Sequence, residues 1–161
     1  MPYRRGVAVP VPTVLVGWAT GDPVALAQAL GAELLGHHPG PLHHTCPTCG
    51  SIEHGRPSFD AAAQVSLAHA GAMHLVAVST AGPVGVDLEA QGSTDLSWVR
   101  REAVGKAHGV GIVAPVPDGP VIVIDLDVPG HLAALAVLAP TAPVVRTWPG
   151  GQAAPGAPAT R

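Results

Sequence analysis

The chain has 161 residues, enough for one compact domain or for two small lobes that share a core. Apolar residues make up 47% and the formal net charge is only -3, so the middle of the chain is expected to fold despite its many glycines and prolines. Eight lysines and arginines, with no run of them, give no basic surface for nucleic acid. No apolar stretch approaches the roughly 18 to 20 residues of a membrane span.

The amino-terminal segment begins with charge and continues with apolar residues, as a signal peptide does. Pro10 and Pro12 interrupt the apolar part, which favours a strand instead. The two cysteines do not make a secreted disulfide framework. We therefore expect a cytoplasmic protein.

The first elements are a strand and a helix. Residues 13–18 form a compact apolar run with β-branched members, which predicts a strand. Asp22 is the expected N-cap of a helix over residues 24–35, with Pro23 at its first turn and Gly36 as its stop. Residues 37–57 are rich in proline, glycine and histidine, which predicts a loop.

The loop holds a possible zinc site. Cys46 and Cys49 have the two-residue spacing of a zinc knuckle, although the same spacing occurs in a plain tight turn. A tetrahedral site needs four ligands, so histidines would have to supply the rest. The candidates are His43, His44 and His54.

Three apolar runs follow, at residues 64–69, 73–79 and 84–89. The last two, joined by a turn at 80–83, predict a β-hairpin. Since side chains alternate along a strand, Asp87 and Glu89 project from the same face.

A helix over residues 96–108, ended by Gly109, completes the central pattern. Residues four apart share a helix face, so Trp98, Glu102 and Lys106 line up as aromatic anchor, carboxylate and ammonium. If this helix packs beside the preceding strand, three carboxylates meet beside one lysine. Such a cluster repels itself unless a hard divalent cation is bound, and Mg²⁺ is the usual solution. The alternative is a pair of solvated acids and an ordinary surface Glu–Lys pair.

The carboxy-terminal part predicts two more strands, at residues 121–126 and 132–138, with a turn at Pro129 and Gly130. Asp125 and Asp127 repeat the alternate-acid pattern, but no lysine-bearing helix follows them, so we interpret them as strand-end or turn residues. Residues 149–161 are of low complexity and are expected to be a disordered tail.

Four motifs in order resemble the 4'-phosphopantetheinyl transferase superfamily, in particular its two-lobed branch that primes peptide and polyketide synthases. They are His54-Gly-Arg-Pro57, Ser66-Leu-Ala-His69, Gly85-Val-Asp-Leu-Glu89 and Trp98-x-x-Arg-Glu-Ala-x-x-Lys106. The resemblance implies an α+β fold in a single domain over residues 1–148. Two short lobes related by a pseudo-twofold, about 1–80 and 84–148, would enclose a ligand cleft.

The resemblance also implies the function. The protein would transfer 4'-phosphopantetheine from coenzyme A to a serine of an acyl or peptidyl carrier protein. Mg²⁺ would be held by Asp87, Glu89 and Glu102, with Glu102 as the base and Lys106 offsetting charge on the leaving group. The expected contacts with coenzyme A would be Arg56 and Pro57 at the nucleotide. At the phosphates they would be His69 and Lys106.

The sequence departs from the family in three places. Ala68 stands where a serine is usual, and only eight residues separate Glu89 from Trp98. The first lobe has only Arg4 and Arg5 in place of an Arg-rich stretch. These departures motivate an alternative, a transferase-like fold that acts on a thioester-linked or small-molecule intermediate, for example as a cyclase. A second alternative is a non-catalytic binding module stabilised by zinc at Cys46 and Cys49.

Overall fold

The computed structural model describes residues 10–46, 48–110 and 114–148. Arg4, Arg5 and the expected tail at 149–161 lie outside the described residues. The fold is mixed α+β. Its elements in chain order are β1 (Thr13–Ala19), α1 (Pro23–Leu35), β2 (Leu42–Thr45), β3 (Arg56–Phe59), β4 (Gln64–Ala70), β5 (Met73–Ser79), β6 (Val84–Ala90), α2 (Leu96–His108), β7 (Ile122–Leu126), β8 (His131–Val137) and β9 (Val144–Thr147).

Both helices begin and end at capping residues. Asp22 accepts a hydrogen bond from the backbone N of Val24 at 2.9 Å, and Gly36 closes α1 in the left-handed conformation. Asp95 caps α2 through the backbone N of Trp98 at 3.0 Å, and Gly109 ends it. Each helix has 13 residues, and among the described residues no helix is long and apolar enough to cross a membrane.

The strands form two sheets. The larger has six strands in the order β2-β3-β4-β5-β1-β9, and the smaller has three in the order β6-β8-β7. All pairs are antiparallel except β1 with β9. β9 lies in the part of the chain that the sequence assigns to the second lobe, yet it pairs with β1 of the first.

The two sheets share a topological unit. In one, β1 is followed by α1, and the later hairpin β4-β5 returns so that β5 pairs with β1. In the other, β6 is followed by α2, and the hairpin β7-β8 returns so that β8 pairs with β6. Each unit therefore has a strand, a 13-residue helix and a returning hairpin with the same strand order.

The predicted hairpin of residues 73–79 and 84–89 is wrong. β5 pairs with β4 and β1, whereas β6 pairs with β8 in the other sheet. The tight hairpin is β4-β5, where Ala70 faces Met73 across a two-residue loop that begins with Gly71 at φ 57°. The segment before β6 instead lies against the end of β8, where the backbone N of Leu138 donates to the carbonyl of Pro83 at 2.9 Å.

The predicted loop at 37–57 also needs correction, because it contains β2 and the start of β3. These strands pair in antiparallel register from Leu42 opposite Phe59 to Thr45 opposite Arg56. Each has four residues, and β2 carries two adjacent histidines, so neither shows the apolar alternation that identifies a strand.

The four layers are α1, the larger sheet, the smaller sheet and α2. Between the two sheets, a core cluster includes Val14, Val16, Leu75, Val86 and Leu135, all at most 1% exposed. α1 covers the outer face of the larger sheet, and α2 covers the outer face of the smaller one. β6 therefore has the core on one face and α2 on the other, which brings its outward side chains to the helix.

Candidate functional site

Gly85 sets how closely α2 approaches β6. A Cβ at this position would collide with the carbonyl of Ala103 and the backbone N of Ala107, and it would lie 3.0 Å from the carbonyl carbon of Lys106. All three neighbours are backbone atoms of the helix. The glycine therefore lets α2 rest directly on the strand, two residues before Asp87.

Asp87 and Lys106 form an ion pair across this contact. Lys106 Nζ donates to Asp87 Oδ1 at 3.0 Å. The Asp87 side chain is 9% exposed and the Lys106 side chain 37%. The other oxygen, Asp87 Oδ2, is buried and has no hydrogen-bond partner among the described residues. A buried carboxylate oxygen without a donor is costly, so this atom is a candidate ligand position.

Glu102 lies one helical turn before Lys106 and faces the same cluster. Burial is the largest cause that raises the pKa of its carboxyl group, and the negative charge of Asp87 raises it further. Lys106 lowers this pKa by less than Asp87 raises it, and Glu89 and Arg101 have smaller, opposite effects. Its Oε1 atom is buried and, within the described part of the chain, has no partner. Asp87 and Glu89 therefore act on the charge of Glu102. The ligand atoms of these three described acids do not all lie within 4.8 Å of one another, so their binding of a single ion stays a prediction.

A cavity of about 510 Å³ opens beside this cluster. Arg56, Pro57 and Lys106 are among its lining residues, as are Ser66 and Gly109. Lys106 also lines an adjoining cavity of about 240 Å³ that includes Glu102. Lys106 therefore stands between the two cavities.

Arg56 reaches from β3 to the carboxy-terminal end of α2. Its guanidinium donates to the carbonyl of Ala107 at 2.9 Å and more weakly to that of Val84 at 3.4 Å. Burial lowers the pKa of this guanidinium. The described residues give Arg56 no carboxylate partner, so no side chain among them neutralises its charge at the cavity.

His69 is the predicted coenzyme A contact that the structure does not bring to the cavity, and the predicted metal ligands Asp87 and Glu89 line neither cavity. His69 is exposed near the end of β4, opposite His74, with the two ring centroids 5.9 Å apart. It is not among the residues that line either cavity beside Lys106.

The second acid pair behaves as an ordinary surface feature. Asp125 lies in β7 and accepts two hydrogen bonds from Arg100 of α2, one of them at 2.8 Å from Nε. These bonds lower the pKa of the Asp125 carboxyl group. Asp127 follows the strand and is exposed. The interpretation of these acids as strand-end residues is consistent with both positions.

The two cysteines come together with one histidine. The donor atoms of Cys46, Cys49 and His54 all lie within 4.8 Å of one another. Backbone N–H groups of Cys49 and Thr48 point to the sulfur of Cys46 and lower the pKa of its thiol. The other two candidate histidines are not in this group. The Nε2 atom of His43 lies 3.3 Å from Oδ1 of Asp60, and His44 faces Pro57 across the β2-β3 pair.

Ser66 is a structural residue that the sequence motifs did not single out for this role. Its buried hydroxyl accepts a hydrogen bond from the backbone N of Val86 at 3.0 Å, which joins β4 of one sheet to β6 of the other. Serine in an apolar strand is the available signal, but its partner depends on the packing of the sheets.

No family model matches the sequence, and a search of curated proteins finds no significant relative.

Proposed function

We propose that this protein transfers 4'-phosphopantetheine from coenzyme A to a serine of an acyl or peptidyl carrier protein. The observation that carries the proposal is the pair of buried, unpartnered oxygens, Asp87 Oδ2 and Glu102 Oε1, beside Lys106 and a cavity lined by Arg56. Carboxylate oxygens left without donors suit a metal ion, and two cations at one cavity suit a phosphate-bearing ligand.

The chemistry of the donor set suits Mg²⁺, and binding would draw the three acids together, because their ligand atoms do not all lie within 4.8 Å of one another in this structure. Asp87, Glu89 and Glu102 supply only oxygen ligands, which is the preference of this hard ion, and their mutual repulsion needs a cation to offset it. When bound there, Mg²⁺ supplies charge neutralisation for the pyrophosphate of coenzyme A.

The positions of the two cavities suggest how the residues divide the work. Coenzyme A would occupy the larger cavity, where Arg56 and Lys106 face its phosphates. The carrier serine would enter from the smaller cavity, where Glu102 is available to accept the hydroxyl proton. The serine oxygen then bonds to the phosphorus that bears pantetheine, the pyrophosphate P–O bond breaks, and 3',5'-ADP leaves with Lys106 offsetting its charge.

The repeated topology supports the two-lobed fold that the motifs imply. The unit of β1, α1 and the β4-β5 hairpin has the same strand order as the unit of β6, α2 and the β7-β8 hairpin. The larger cavity takes residues from both units, since Arg56 and Ser66 belong to the first half and Lys106 to α2. We propose that this cavity is the cleft between two pseudo-twofold lobes.

Mass spectrometry of apo carrier proteins tests the transfer. The full chain, Mg²⁺ and coenzyme A are incubated with several carriers, and a known transferase serves as the positive control. We expect a phosphopantetheine adduct on serine that Glu102→Gln abolishes and Asp127→Asn, an exposed acid outside the site, leaves unchanged. Carriers that the control converts but this protein leaves unmodified would count against the proposal.

The position of His69 favours a second candidate. This residue is exposed and outside the cavity, and Ala68 removes the neighbouring hydroxyl, so two expected phosphate contacts are missing. A related fold that acts on another thioester-linked or small-molecule intermediate, without arm transfer, accommodates both observations. Calorimetry discriminates the two, because the transferase must bind coenzyme A and the second candidate need not.

A further inference from the structure

The connection between β2 and β3 brings three soft metal ligands together. The sulfurs of Cys46 and Cys49 and a ring nitrogen of His54 lie within 4.8 Å of one another, and Cys49 Sγ is 3.3 Å from His54 Nε2. Around a tetrahedral zinc ion with ordinary bond lengths, neighbouring ligand atoms are roughly 3.5 to 3.8 Å apart. The distance from Cys49 to His54 is close to that of a bound site, and the other two distances are at most 4.8 Å.

The backbone of this connection is folded back to make the cluster. Cys46 donates from its N to the carbonyl of Ser51 at 2.8 Å and accepts from the N of Gly50 at 2.8 Å. Gly55 has φ 129°, and a Cβ there would lie 2.6 Å from the N of Cys46. The glycine therefore permits the close passage that returns His54 to the cysteines.

This connection has almost no apolar packing to hold it. Cys49, Gly50 and His54 are exposed, and Ile52 is 79% exposed. A segment without buried side chains should open readily unless another interaction fixes it. A bound metal ion provides such an interaction, because its binding free energy becomes folding free energy of the segment.

We propose that Cys46, Cys49 and His54 bind Zn²⁺, with the fourth position open to water or to a ligand in the cavity. Cys46 and His54 both line the 510 Å³ cavity that also holds Arg56. Among the described residues, the group contains no fourth histidine, cysteine or acid. Thiolate and imidazole ligands select Zn²⁺ over Mg²⁺, so the site is chemically distinct from the carboxylate cluster.

Zn²⁺ bound at His54 would restrain Arg56. Arg56 lies two positions after His54 and reaches the end of α2 through the carbonyl of Ala107. Holding His54 to the cysteines restrains the start of β3 and with it the guanidinium in the cavity. This role does not depend on which reaction the cavity supports.

Cobalt substitution tests the site in the full chain, purified without chelator and kept reduced. Titration with Co²⁺ should saturate at one equivalent, with a thiolate charge-transfer band and the intense visible bands of a tetrahedral ion, both removed by Zn²⁺. Cys49→Ser should weaken the charge-transfer band, and His54→Gln should shift the visible bands. Each change should lower metal affinity by more than the roughly 10- to 100-fold loss typical of a second-shell partner.

His43→Gln is the matched control, since this histidine lies outside the group and beside Asp60. Its cobalt spectrum should equal that of the unchanged protein. The proposal is overturned if the reduced protein gives no tetrahedral spectrum, or if Cys46→Ser leaves the spectrum unaltered. Neither result bears on arm transfer, because the titration contains no coenzyme A.

Discussion

Replacing Gly85 by alanine tests the contact on which the site depends. The new Cβ would collide with helix backbone at Ala103 and Ala107, and no flexible side chain is available to move aside. α2 must shift outward or β6 must bend. Overpacking of a rigid core costs about 1–3 kcal/mol, and contacts that are all with backbone place this change in the upper half of that range.

The matched control is Gly105→Ala on the same helix. A Cβ at Gly105 meets only the carbonyl of Val110, at 3.4 Å, which is ordinary contact. Alanine is favoured over glycine inside a helix by about 1 kcal/mol, so this variant should be as stable as the unchanged protein or more stable. The two variants add the same methyl group but should change the free energy of unfolding in opposite directions.

Urea unfolding measures the difference. With a slope of about 2 kcal/mol/M for a small protein, a loss of about 2–3 kcal/mol lowers the unfolding midpoint for Gly85→Ala by about 1–1.5 M. If the midpoint is unchanged, α2 does not rest on β6 as described. The helix shift also moves Lys106 away from Asp87, and a misplacement of about 1 Å can reduce activity by about 100-fold.

Three further changes follow from single contacts. Ser66→Ala leaves a buried β6 amide without its acceptor and should cost about 1–3 kcal/mol by urea unfolding, whereas the exposed Ser58→Ala should change stability by less than about 0.5 kcal/mol. Lys106→Met leaves the buried Asp87 carboxylate uncompensated and should destabilise the metal-free protein at pH 7. This loss of stability should become smaller when Mg²⁺ is added. Equal losses with and without Mg²⁺ would contradict the proposed position of the ion. Asp125 has a lowered pKa when folded, so its stabilisation is present above the ordinary pKa of an aspartate and disappears as the pH falls through the lowered value. The unfolding midpoints of Asp125→Asn and the unchanged protein should therefore converge in acid, and the gap between them should be small because the pair is half exposed.

The helices could be predicted from sequence because their ends are marked by local chemistry. An Asp-Pro start and a glycine stop gave α1, and Gly109 marked the end of α2. The partners of the strands could not be predicted in the same way. A short turn between 73–79 and 84–89 resembles a hairpin, but pairing is decided by which faces are buried together, and β5 fits between β4 and β1.

For the candidate site, too, sequence periodicity predicted which residues lie in one region but not the contacts that they make. The periods of strand and helix predicted that Asp87, Glu89 and Glu102 share one region, and the raised pKa of Glu102 is consistent with this. The burial of the Asp87 carboxylate, with its Oδ2 atom left unpaired among the described residues, depends on side-chain geometry that spacing does not give. The contact of Arg56 with the Ala107 carbonyl joins residues 51 positions apart and has no signal in the sequence.

Isothermal titration of coenzyme A into the full chain, in Mg²⁺ and again in chelator, tests the proposed site most directly. We predict heat of binding in Mg²⁺ that is strongly reduced by chelator and by Glu102→Gln, but not by Asp127→Asn. The absence of heat in Mg²⁺, or heat of equal size after Glu102→Gln and in chelator, would contradict a magnesium-dependent coenzyme A site at these carboxylates.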